Sequence, residues 1–235
     1  MDGSIFVPFH RVRSLPLLLK MLASRSSSNS GFTLIELAIA LFVISIVIGG
    51  IIVGTSAVIQ SGRTKDAMSI ATDLPGAARD FRQRYHFLPG DFPVNNASPE
   101  IPGLPAQCMI GGANAGNGNG IIELVESLCV PEHLAKAGYV KPKVDPTTGL
   151  VAFSTAFGPV GIIANALSAE AAGPNPLPPT IMNVIEFRLL PCLVAIEMDS
   201  QLDDGNLATG KIRGSVAACS PGVLNDPVPS IGLEL

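Results

Sequence analysis

A single carboxylate stands at the mouth of an apolar run. Residues 31–37 read Gly31-Phe32-Thr33-Leu34-Ile35-Glu36-Leu37, and Leu37 to Ile59 follow as 23 uncharged residues with nothing more polar than Ser45, Thr55 and Ser56. A helix of about 20 apolar residues spans a bilayer, so this run is long enough to cross one. Placing a carboxylate in hydrocarbon costs roughly 2.5–3.5 kcal/mol, which makes Glu36 a residue in need of a cationic partner. Within the run, Gly50 and Gly54 form a G-x-x-x-G face that permits close helix approach, although glycine is common in membrane helices.

The G-F-T-L-I-E sequence followed by a long apolar helix resembles the processing site of type IV prepilins and the related pseudopilins. The resemblance implies cleavage after Gly31 by a prepilin peptidase, N-methylation of the new terminus on Phe32, and pairing of Glu36 with the Phe32 ammonium of a neighbouring subunit during assembly. It implies as partners the prepilin peptidase/N-methyltransferase, other pilin or pseudopilin subunits, an inner-membrane assembly platform and membrane lipid. The competing reading is a signal anchor carrying an extracytoplasmic enzyme or binding protein, with Glu36 at the membrane interface.

The residues ahead of Gly31 fit a leader. Arg11, Arg13, Lys20 and Arg25 outnumber Asp2, and Ser24 to Ser30 is rich in serine. The patch Leu15 to Leu22 is interrupted by Pro16 and Lys20 and is too short to span. Basic residues stay cytoplasmic, which places the leader inside and the chain beyond Ile59 outside the inner membrane, in the periplasm, as a single-pass protein; the resemblance implies that it then enters a cell-surface or periplasmic filament. Translation from Met21 would give a short basic leader ending at the same Gly31. Without residues 1–31 the formal charge is −7, which does not indicate a nucleic-acid partner.

Cysteine usage agrees with an oxidising compartment. Cys108, Cys129, Cys192 and Cys219 all follow the apolar run and allow three connectivities. Pairing of sequence neighbours, Cys108–Cys129 and Cys192–Cys219, is expected, with a buried free thiol at Cys192 as the alternative.

Two loops carry oxygen ligands for a hard cation. In Ala113 to Glu126, Asn117, Asn119, Gly120, Ile122 and Glu126 fall on a calcium-loop pattern, but its first position is Ala115. A Gly/Asn turn opening a helix from Ile121 to Ala137 is the better reading. The later loop is richer: Asp199, Asp203, Asp204 and Asn206 supply hard oxygens, and Asp-Gly turns also form without metal. A similar D-D-G turn occurs late in pilin-like heads, and some pseudopilins hold calcium in this region. No cofactor is expected, with calcium at this loop as the alternative. For an enzyme the chain offers little, since His86 and His133 are the histidines beyond Gly31 and no G-x-S-x-G, H-E-x-x-H or phosphate-binding loop occurs.

These side chains require particular elements to position them. Ala67, Ile70, Ala71, Leu74, Ala78, Phe81 and Tyr85 recur at helical spacing, extending the apolar helix as an amphipathic one with Arg79, Arg82 and Arg84 outward. Pro75-Gly76 is expected to kink or break it, with Asp73 capping the restart, and Pro89-Gly90 to end it. Tyr85 to Pro93 resembles the helix-to-head junction of pilin-like proteins. Strands are expected over Leu150 to Phe157, Val160 to Leu167, Ile181 to Leu189 and Ile212 to Ala218, the first two as a hairpin at Gly158-Pro159, and a helix initiated by Pro191 is expected to lead into the acidic loop. The expected fold is α+β, a long N-terminal helix with membrane-spanning and amphipathic halves packed on a small antiparallel sheet. The divisions are 1–31 leader, 32–60 filament-core helix, 61–90 amphipathic extension and 91–235 head.

Overall fold

The computed structural model describes residues 31–235 apart from 98, 142, 148, 216–218 and 220–224, and for 50–57 it describes the backbone alone. The leader residues before Gly31, the side-chain environment of Gly50 and Gly54, and the expected end of a strand at Ala218 lie outside the described residues. The chain divides into two units, 1–53 and 54–235.

Helix α1 runs from Leu34 to Tyr85. In the first unit every described side chain from Gly31 to Gly49 is exposed, including Phe32, Ile35, Phe42 and Ile46. Among the described residues no helix is long and apolar enough to cross a membrane. The side chains of 50–57, in the middle of the uncharged run, are not among them.

In the second unit, α1 buries Ala67, Ala71, Leu74, Ala78 and Phe81 in one core with Ile162, Ile185, Phe187, Leu190, Ile212 and Ile231 of the sheet. That packing explains why the expected break at Pro75 does not occur. A proline inside a helix costs about 3 kcal/mol, and the apolar residues buried on both sides of Pro75 offset it. Asp73 accepts from Ser69 Oγ at 2.8 Å within the helix and caps no restart. The helix ends at Tyr85, ahead of the expected Pro89-Gly90 stop, because His86 takes φ +65°.

The sheet is antiparallel with order β1-β2-β3-β5-β4. Its strands are β1 (Phe153–Ser154), β2 (Pro159–Ala164), β3 (Asn183–Pro191), β4 (Ile212–Gly214) and β5 (Pro227–Glu234). The fold is therefore α+β. The first expected strand shrinks to two residues because Val151 N–H donates to Glu132 and Thr155 Oγ1 turns the chain through Phe157 and Gly158. The second stops at Ala164, since the Asn165 amide donates to the Met182 carbonyl and its side chain to that of Pro178. β3 begins at Asn183 rather than Ile181 and runs on to Pro191. β5, which was not expected, inserts between β3 and β4.

Among the described residues the second unit also carries the short helices α2 (Val130–Lys136) and α3 (Cys192–Leu202). The helix expected from Ile121 is replaced up to Val125 by a loop. The amides of Ile121, Ile122 and Glu123 donate to Asn119, Asn183 and Glu126 side chains, and a short 3₁₀ turn over Glu126–Cys129 leads into α2. α3 starts directly after Pro191, as expected.

Candidate functional site

At the start of α1, Thr33 acts as the N-cap. Its Oγ1 accepts from Glu36 N–H at 3.3 Å and its carbonyl from Leu37 N–H at 3.2 Å. Thr33-Leu34-Ile35-Glu36 thus has the spacing of a capping box, in which an acidic residue in the first turn also meets the positive end of the helix dipole. The T-x-x-E spacing in the sequence is the signal for this local role of Thr33. Phe32 is 79% exposed, and a Cβ added to Gly31 would meet nothing within 4 Å, so nothing in the chain's own packing requires glycine there. Glu36 is exposed and makes no ion pair among the described residues.

The acidic turn lies at the far end of α3. Asp199 occupies the last turn of that helix, and Asp203 and Asp204 follow its end; one carboxylate oxygen from each lies within 4.8 Å of the others. The three are not equivalent. Asp203 accepts from Lys211 N–H and, at 3.0 Å, from Ile212 N–H, which pins the turn to the start of β4. Gly210 must be glycine here, because its φ is +74° and a Cβ would fall on the Asp203 carboxylate. Asp204 accepts from Asn206 N–H at 2.9 Å and Thr209 Oγ1–H at 2.6 Å, and the Thr209 bond leads the effects that hold its carboxyl below the ordinary range. Asn206 contributes its side-chain oxygen to Ala208 N–H at 3.1 Å.

Asp199 is fully buried, and neither of its carboxylate oxygens has a hydrogen-bond partner. Burial foremost, then the charges of Asp204 and Asp203, push its carboxyl up to about 6; the Gly205 and Asn206 amides oppose this without completing a hydrogen bond to it. A buried anion without donors is costly unless a proton or a cation meets it. Oxygens around a calcium ion sit 2.3–2.6 Å from it, so two of them can be up to about 5 Å apart, which accommodates this trio.

The earlier Gly/Asn loop is built the opposite way. Asp91, which sequence reasoning missed, accepts from the amides of Gly118 (2.7 Å), Asn119 (3.2 Å) and Gly120 (2.7 Å). Glu126 accepts from Asn117 and Glu123 amides at 3.0 and 2.9 Å, and burial pushes its carboxyl up. The oxygens of Asn117 and Asn119 are taken by the amides of Asn119 and Ile121. The loop therefore wraps backbone donors around carboxylates, and a Cβ at Gly116 would run into the Asp91 backbone at 2.2 Å. The only signal for this arrangement was the concentration of glycines.

The cysteines pair as Cys108–Cys129 and Cys192–Cys219, with Cα–Cα distances of 5.6 and 5.7 Å, and Cys192 is not a free thiol. His133 is buried and stacked on Phe81 at 5.9 Å; its Nδ1 accepts from Gly90 N–H at 2.9 Å. Burial lowers its pKa to about 4, opposed by the Cys108 backbone, so it serves the core as a neutral ring.

Residues 26–52 match the family model described as the prokaryotic N-terminal methylation motif, the motif of type IV pilin-like prepilins. No match to the chain is found among curated proteins or solved structures.

Proposed function

We propose that this chain is a structural subunit of a type IV filament system, a minor pilin or pseudopilin of a pilus or a type II secretion filament. The observation that carries the reading is the methylation motif at 26–52, with Gly31, Phe32 and Glu36 at the prepilin spacing. On this reading residues 1–31 are the leader, removed by prepilin peptidase, and 32–60 form the filament-core helix that first holds the protein in the inner membrane. Residues 61–90 extend that helix, and 91–235 form the periplasmic head. Support comes from the exposed apolar side chains between Phe32 and Val47, a surface that lipid and then neighbouring helices would cover. The open space around Gly31 also agrees with a small-residue requirement set by a processing enzyme rather than by the fold. Assembly would bring Glu36 to the methylated Phe32 ammonium of a neighbour, giving the carboxylate its cation. Mass spectrometry of the membrane-extracted protein from its host tests this. The expected chain begins at methylated Phe32, and an intact leader in assembled, functional protein would overturn the proposal.

The head is read as holding a hard divalent cation, calcium, on Asp199, Asp203 and Asp204, with Asn206 shaping the turn. The supporting observation is the donorless, buried Asp199 carboxylate beside two further carboxylates. Calcium there would neutralise charge and fix the α3–β4 connection; it supplies no chemistry to a reaction. Calcium titration of the full chain, followed by thermal unfolding, tests the assignment, and an absence of any stabilisation would remove it.

A further inference from the structure

On the face of the sheet that carries Ile163 and Val184, the chain from Asn165 to Pro178 lies as a strap and packs its Leu177 onto them. Its base is closed by Asn165, whose Nδ2 donates to the Pro178 carbonyl at 3.1 Å. Two further bonds tie it down: Ala169 N–H to Glu186 Oε1 at 3.0 Å and Arg213 to the Pro176 carbonyl at 2.6 Å. The strap reads Asn-Ala-Leu-Ser-Ala-Glu-Ala-Ala-Gly-Pro-Asn-Pro-Leu-Pro, and Glu170 is its sole ionisable residue.

That residue is in the wrong place for a charge. Glu170 is fully buried and neither of its oxygens has a hydrogen-bond partner. Its side chain lies across β5 where Gly232 leaves room; a Cβ on Gly232 would stand 3.3 Å from the Glu170 carboxyl carbon. Around it β3 presents Glu186, which is ion-paired to Arg188 at 2.9 Å, and β4 presents Arg213, committed to the strap carbonyl. β5 contributes Ser230, whose buried hydroxyl also lacks a partner, and Glu234, exposed at its end. Among the described residues no cation makes an ion pair with Glu170.

We infer that residues 165–178 are a strap latched by a proton: neutral Glu170 lies against Gly232, and ionisation of its carboxyl lifts the middle of the strap and uncovers the β3–β5 face. Burial raises the carboxyl above the ordinary glutamate range, the nearby Ser230 hydroxyl opposes this without completing a hydrogen bond to it, and the Glu186 charge adds to it. The sign follows from linkage: closure is strongest below the ordinary glutamate value and weakens as pH rises toward the raised one. The bonds at Asn165 hold the ends while the centre opens. The surface uncovered is apolar at Ile163, Val184 and Gly232 and is bordered by the Glu186–Arg188 pair and Arg213, so pH would control whether this side of the sheet offers a contact surface. The inference stands independently of the filament reading.

Hydrogen exchange read by mass spectrometry on the full chain in detergent, corrected for the intrinsic pH dependence of exchange, tests it between pH 4 and 8.5. Protection over residues 166–177 should fall about tenfold per pH unit above the ordinary glutamate value and then level off, while β2 and α3 keep theirs. Glu170→Gln should flatten the profile. Ser230→Ala, which removes the group favouring ionisation, should carry the fall to higher pH and serves if Glu170→Gln does not fold. Strap protection that parallels the rest of the head at every pH, or a Glu170→Gln profile as steep as the wild type, would overturn the inference.

Discussion

Replacing Asp199 with asparagine should change the stability of the head in opposite directions with and without calcium. In EDTA at pH 7, a carboxyl raised from 3.8 to about 6 has lost about 3 kcal/mol relative to its unfolded value, at 1.36 kcal/mol per unit. This acid has a raised folded pKa, so its contribution is most favourable below pH 4 and is lost as pH rises from about 4 to about 6. Asparagine removes the charge but leaves a buried amide without partners, which costs about 1–2 kcal/mol. The net expectation is a gain of about 1–2 kcal/mol, or roughly 2–8 °C in Tm for a unit of this size. With calcium at a hundred times its Kd, the wild type gains about 2.7 kcal/mol that the variant largely forgoes, and the order of stabilities inverts. Circular dichroism melts of the full chain in detergent, in EDTA, calcium and magnesium, would read this. If Asp199→Asn is less stable in EDTA as well, the carboxylate is already satisfied without metal and the reasoning fails.

Glu36→Ala should leave cleavage and membrane insertion intact while lowering recovery in sheared fibres beside the wild type; equal recovery would remove its assembly role. Asp91→Asn should cost about 2–4 kcal/mol in urea unfolding, because three amides lose a charged acceptor. Gly90→Ala should cost more than about 2 kcal/mol, since φ is +93° and the added Cβ would stand 2.6 Å from Val130 Cγ2; an unchanged melting curve would contradict the packing described. Replacing both Cys108 and Cys129 with serine should cost about 2–4 kcal/mol by the same measurement, and non-reducing peptide maps of the wild type should recover both pairs.

Local features were legible where one residue type dominated. The β-branched centres of β2 and β3, the helix after Pro191 and the N-terminal methylation motif all follow from short stretches read alone. β5 did not, because Pro227, Pro229, Ser230 and Gly232 interrupt any strand pattern, and each has a tertiary reason. Pro229 falls where β3 turns through Leu189 at φ +60°, between the pairs Arg188–Ser230 and Leu190–Val228, so no ladder donor is missed. Gly232 makes room for Glu170. The passage of α1 through Pro75 and the capture of the Gly/Asn loop by Asp91 depend on partners more than 25 residues away in sequence, as does the pairing of Asn183 with Ile122. The acidic turn showed its ligand types in sequence, whereas the burial that distinguishes Asp199 from its neighbours appears only in three dimensions.

The insertion of β5 between β3 and β4 also orders the birth of the molecule. Synthesis runs from the amino end, so β3, with Val184, Ile185 and Phe187, emerges before its partner on that side exists. Some 36 residues separate the end of β3 at Pro191 from the start of β5 at Pro227, which is about 2–7 s of elongation. During that interval an apolar strand edge stands open, the kind of template on which nascent chains pair with one another. The Cys192–Cys219 bridge joins the first residue of α3, directly after β3, to the chain beyond β4, so it links the two sides of the slot that β5 fills. Until β5 arrives, that covalent link is what holds the flanks of the slot to one another.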